Sequence, residues 1–143
     1  MTGATTASTE ISALQAALAA EHAAVYGYGV AGALLAGAAQ AQARADWTAH
    51  QVARDTLEAM LAKLGATPVA ASPAYALPFP VTSASTAAKL AATLEEGVTR
   101  GYLGLVAVSN PTLRAFAAKA MQTSANRALA WSGSTVAFPG MPT

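Results

Sequence analysis

The side chains in this 143-residue chain able to do chemistry from inside a fold are Glu21, Glu95, His50, Tyr28, Tyr102, Arg54 and Arg127. Glu21 sits at helical spacing between Leu18 and Val25, so the period that buries those apolar residues buries the carboxylate too. An unpaired buried carboxylate is costly, and Glu21 therefore needs a partner. His50 and Arg54 lie one turn apart on the apolar stripe of the next segment. The imidazole is placed to orient or pair with a carboxylate such as Glu21, and the guanidinium to form a salt bridge. The second half echoes the first. Glu95 precedes Tyr102 by seven residues as Glu21 precedes Tyr28, and Arg127 follows Glu95 by 32 residues as Arg54 follows Glu21 by 33. We read a weak internal repeat in which each glutamate pairs with an arginine inside the fold and tyrosine hydroxyls join the network. Whether each pair stays within one half or crosses between halves is open at this point.

Composition removes much other chemistry. With no cysteine, a disulfide scaffold, a thiolate zinc site, an iron–sulfur cluster and a cysteine nucleophile are excluded. Eight basic and seven acidic residues give a net charge of +1, and the basic ones are scattered over 44–127, so no stripe exists to follow a phosphate backbone and no nucleic-acid partner is expected. Neither histidine has a usable nucleophile nearby, so no catalytic residue is assigned. His22, beside the seam, is expected to make a boundary hydrogen bond.

The elements that must position these residues are helical. Ile11, Leu14, Leu18, Glu21, Val25, Tyr28, Gly32 and Leu35 alternate spacings of three and four, as do Trp47, His50, Arg54, Leu57, Leu61 and Leu64. Gly65 and Pro68 stop the second segment. Pro68, Pro73, Pro78 and Pro80 keep the following stretch extended. Ser109-Asn110-Pro111 ends a third helix and caps a fourth. The expected helices span about 9–38, 43–64, 85–108 and 111–132, with a crossover over 65–84 and a tail over 133–143. This is one all-α domain: two antiparallel hairpins joined by a long proline-rich crossover between helices 2 and 3, a four-helix bundle of ferritin-like topology. The glycines inside helices 1 and 3 cost about 1 kcal/mol each against alanine, so close helix approach must offset them.

The run Glu21-His22-Ala-Ala-Val-Tyr26-Gly-Tyr28-Gly, the spacing His50-x-x-x-Arg54-Asp55 and Tyr75-Ala-Leu-Pro-Phe-Pro resemble, within the ferritin-like superfamily, an actinobacterial-type ferritin-like domain family of unknown function. The resemblance covers 9–132. It implies that Glu21 and Glu95 match the first-helix glutamates of a di-metal site, and that the second-helix glutamates fall at or beside Arg54 and Arg127. An arginine is always charged and cannot ligate a metal. A shifted register bringing in Glu58, Asp55, His50 or His22 leaves at most a lopsided site, because residues 111–131 contain no acid and no histidine.

The expected function is a non-catalytic bundle, a binding or structural module whose metal site has been replaced by Glu/Arg salt bridges, with no metal and no cofactor. The alternative is a ferritin-like metal-binding oxidoreductase with a divergent site. Ala23 to Ala43 is free of charge over a length that could span a bilayer, but alanine and glycine drive insertion weakly, so no membrane association is expected. The N-terminal residues lack a signal-peptide pattern, which points to the cytoplasm or to a chain trimmed of its signal. With few charges, and with Val30, Leu34, Val52 and Met60 off the seams, a homodimer is expected. No small-molecule ligand can be named from the sequence.

Overall fold

The computed structural model describes residues 2–134, all helix and connection, with no strand among them. The helices are α1 (Thr2–Leu34), α2 (Gly37–Lys63), α3 (Ala84–Gly101), the single turn α4 (Leu103–Val106) and α5 (Pro111–Ser132). Of the expected tail, residues 135–143 lie outside the described residues.

Helix starts and stops follow local chemistry. Gly65 adopts φ 73°, and the bonds Ala66 N to Leu61 O (3.0 Å) and Gly65 N to Ala62 O (2.9 Å) close a Schellman motif on α2. Ser83 caps α3 in a reciprocal box with Thr86. The Asn110 side chain accepts from the amides of Thr112 and Leu113, with Pro111 in the first turn of α5. Some expected boundaries differ. The first helix begins earlier, at Thr2. The first turn is at Leu35–Ala36 rather than 38–43, where Gly37 at φ 58° supplies a left-handed residue. The third helix is not continuous to 108, because Tyr102 separates α3 from α4. The break at residues 35 and 36 divides the uncharged stretch between α1 and α2, and among the described residues no helix is long and apolar enough to cross a membrane.

α1 packs on both α2 and α3, and α3 packs on α5. Both partners of α1 run antiparallel to it. Gly32 faces Ala43 and Glu21 meets His50 along α2, while Gly27 lies over Leu94 and Gly101 over Ala20 along α3. A Cβ at Gly101 would stand 2.5 Å from that of Ala20, so glycine here lets two backbones approach. Gly27 is similarly filled by the Leu94 side chain, whereas a Cβ on Gly29 or Gly97 would meet nothing within 4 Å. Close approach thus accounts for Gly27 and Gly101, and not for Gly29 and Gly97.

The four-proline segment between α2 and α3 is tied to α1. Gln15 donates to Thr67 O and accepts from Val69 N, both at 2.7 Å, and the His22 ring meets Val69 O at 2.9 Å. The core falls into two apolar clusters. One gathers Leu14, Leu18, Leu57, Leu61, Tyr102 and Leu105, the other Tyr28, Ala31, Leu35, Ala87 and Leu90.

Candidate functional site: a buried glutamate–histidine–glutamate network

A continuous polar chain links the two apolar clusters. Tyr102, at the α3–α4 junction, donates to Glu21 Oε1 at 2.7 Å. The other oxygen of Glu21 meets His50 Nδ1 at 2.6 Å, and His50 Nε2 meets Glu95 Oε1 at 2.9 Å. Tyr28 donates to that same Glu95 oxygen at 2.6 Å. Three helices therefore contribute one charged group each. Glu21, His50 and Glu95 are all 2% exposed or less, as are both tyrosines.

The electrostatics of the central imidazole follow from its neighbours. Burial alone pushes the His50 pKa down, but hydrogen bonds to Glu21 and Glu95 and the charges of both carboxylates outweigh it and raise the value to about 9. At neutral pH both ring nitrogens therefore donate, and an imidazolium stands between two glutamates with the Tyr28 ring stacked on it at 5.4 Å between centroids. Burial first, then the charge and hydrogen bond of Glu95, drives the Tyr28 hydroxyl upward, and burial with Glu21 does the same for Tyr102. Both phenols stay neutral donors. Glu95 Oε2 is buried with no hydrogen-bond partner among the described residues.

The internal repeat is read out crosswise: the tyrosine of each half bonds the glutamate of the other, Tyr28 to Glu95 and Tyr102 to Glu21. A third acid borders the network. Asp46, one turn before His50 on α2, accepts from Trp131 Nε1 and Gln42 Nε2, both at 2.9 Å, and its Oδ1 lies 3.3 Å from Arg127 Nε.

A family model described as a domain of unknown function (DUF4439) matches residues 13–143. The chain belongs to this family. Among solved structures it is similar to the crystal structure of a conserved hypothetical protein, Rv2844, from Mycobacterium tuberculosis, at 34% identity and a TM-score of 0.84, covering 88% of this chain and 96% of that one. No curated protein matches.

The structure brings together Glu21, Tyr28, His50, Glu95 and Tyr102, and it corrects the expected pairing of glutamate with arginine. Arg54 bonds its neighbour Asp55 at 2.8 Å with its side chain 29% exposed, and Arg127 pairs with Asp46. The reason is reach. A long side chain at the edge of a helix stripe carries its charge outward to water while the stem stays packed, whereas the short imidazole of His50 has to remain inside. Asp46 and Trp131 were missed. Asp46 was legible as the residue one turn before His50 on the same face, and Trp131 only by its position at the end of the last helix. Glu58 lies 3.9 Å from His22 and takes no part in the network.

The fit of these residues to a pair of metal ions can be tested on the donor set. Both His50 nitrogens are committed to carboxylates, so the ring has no lone pair to offer, and its positive charge occupies the space between the two acids. On the α5 side Ser124 and Arg127 line the cleft next to the network, and neither is a ligand suited to a transition metal. Among the described residues no group of three His, Asp or Glu is arranged to hold a metal ion. In this arrangement the residues do not fit a di-metal centre.

Proposed function

We propose that this chain is a ferritin-like four-helix bundle, with the four-proline segment as its crossover, that acts as a non-catalytic binding or structural module. The observation that carries the reading is His50, whose two ring nitrogens join Glu21 and Glu95 at 2.6 and 2.9 Å. A protonated imidazole neutralises a buried acid as a bound cation would, and it has no redox chemistry to offer. The divergent oxidoreductase reading has one observation in its favour, the unpartnered Glu95 Oε2. Elemental analysis decides between them: the purified protein is expected to carry no stoichiometric iron, manganese or zinc, and two metals per chain would establish the oxidoreductase reading instead.

The module is also proposed to be a homodimer. Val52 on α2 and Leu129 on α5 are 60% and 40% exposed, and Leu34 is 37% exposed, while Val30 and Met60 pack partly against the core. Light scattering is expected to give twice the 14.2 kDa chain mass, and a monomer throughout the micromolar range would contradict it.

A further inference from the structure

The two halves of the buried network are not equivalent, and the difference leaves space. An offset of 74 residues carries Glu21 to Glu95 and Tyr28 to Tyr102, and it carries His50 to Ser124. On the α2 side an imidazole fills the centre. On the α5 side a hydroxymethyl group stands at the matching position, and a cleft of about 290 Å³ opens between the two helices, floored by Glu21, His50 and Tyr102. Across from α5, helix α2 presents the methyl groups of Ala49 and Ala53 beside the His50 ring.

The α5 wall carries polar groups with nothing to bind. Ser124 is 2% exposed and lines the cleft, yet its hydroxyl makes no hydrogen bond among the described residues; neither does that of Thr123. Elsewhere the helical hydroxyls of Thr48, Thr56, Thr93 and Thr99 each bond the carbonyl four residues back. Lys119, Thr123 and Arg127 follow at intervals of four on one helix face, so a basic residue lies one turn, about 6 Å of helix rise, to either side of Thr123. Lys119 has no acid within 4 Å among the described residues, and Arg127 meets Asp46 through Nε.

We propose that this cleft binds a small monocarboxylate with a short apolar tail. Lys119, with no acid of its own, and Arg127, whose Nε is paired with Asp46 and whose remaining N–H groups stay available, flank two unpartnered hydroxyls and select an anion. Glu21 in the floor, with Glu95 behind the His50 ring, sets two carboxylates against one imidazolium, which repels a dianion such as phosphate and leaves a single negative charge as the form that fits. Phe116 and Ala120, with Ala49 and Ala53 opposite, provide an apolar surface for the tail. At about 30 Å³ per atom, as for liquid water, the space holds about ten non-hydrogen atoms. The proposal rests on the reading of the chain as a binding module whose centre holds no metal.

The test is titration of the full-length, isotope-labelled protein with butyrate and benzoate, and with the neutral butyramide and benzamide, followed by amide chemical shifts. Saturable shifts in residues 49–53 and 119–127 are expected for the carboxylates, with the amides binding roughly tenfold more weakly. Lys119→Met, at an exposed position that leaves the core intact, is expected to weaken carboxylate binding by roughly tenfold, the order of one lost charge-assisted contact. No saturable shift at about 20 mM, equal binding of acid and amide, or an unchanged affinity in Lys119→Met would each overturn the proposal. Metal analysis of the same sample keeps the two readings apart. Failure to bind by a metal-free protein removes the carboxylate site and leaves the non-catalytic module reading intact, whereas two bound metals remove the module reading itself.

Discussion

Replacing His50 with alanine is expected to lower the free energy of unfolding by about 3 to 5 kcal/mol, the cost of stranding buried charges whose only counter-charge among the described residues has been removed. The loss exceeds that of an ordinary cavity for a specific reason. Glu21 and Glu95 are 2% and 0% exposed, so neither can recover its solvation when the imidazolium goes. The tyrosine hydroxyls remain as donors to both acids, but they are neutral and cannot offset a carboxylate charge in a low-dielectric interior. Arg54→Ala supplies the contrast. Its partner Asp55 has a side chain 64% exposed, and loss of a solvent-screened pair is expected to change stability by less than about 0.5 kcal/mol. Urea unfolding of parent and variants at one protein concentration measures both effects. A His50→Ala protein as stable as the parent, or an Arg54→Ala protein as damaged as His50→Ala, would show that the charge balance of the core lies elsewhere.

The second large effect is on pH. In the unfolded chain His50 titrates near 6.5, and in the folded protein its pKa is raised to about 9. The folded state therefore holds the proton more tightly. Its stabilisation is fully present below pH 6.5 and is lost as pH rises through 9. At about 1.4 kcal/mol per pH unit, the interval is worth about 3 kcal/mol. Unfolding midpoints are thus expected to fall steadily between pH 6.5 and 9 and to level off above. The groups facing the ring are Glu21, Glu95 and the neutral phenol of Tyr28, so the proton released in this window belongs to the imidazole. His50→Gln should flatten the profile. A parent protein whose stability is constant across the window, or a variant that keeps the slope, would rule this out; the ring resonances of His50 followed by NMR give the pKa directly.

These two effects trace to features that differ in how far the linear chain reveals them. Helix ends were legible wherever a residue has a backbone requirement of its own: Gly65 in the left-handed region, Asn110 with Pro111 at a helix start. The seam positions of Glu21, Tyr28 and His50 were legible for a different reason, because a 3.6-residue period places polar and apolar residues of one stripe at the same depth. The turn at Leu35–Ala36 was not, since alanine runs through both flanking helices and only Gly37 marks the break. Nor was the identity of each partner. Period states which face of a helix is buried, not how far along its neighbour a side chain lands, and that distance decided between His50 and Arg54. Both are on one stripe and both offer positive charge. The fold leaves Arg54 at the margin, where its long stem reaches water, and sets the His50 ring midway between Glu21 and Glu95. The crossing of Tyr28 to Glu95 and Tyr102 to Glu21 likewise exists only once α1 and α3 lie antiparallel, because sequence spacing within a half carries no information about the height of the other half.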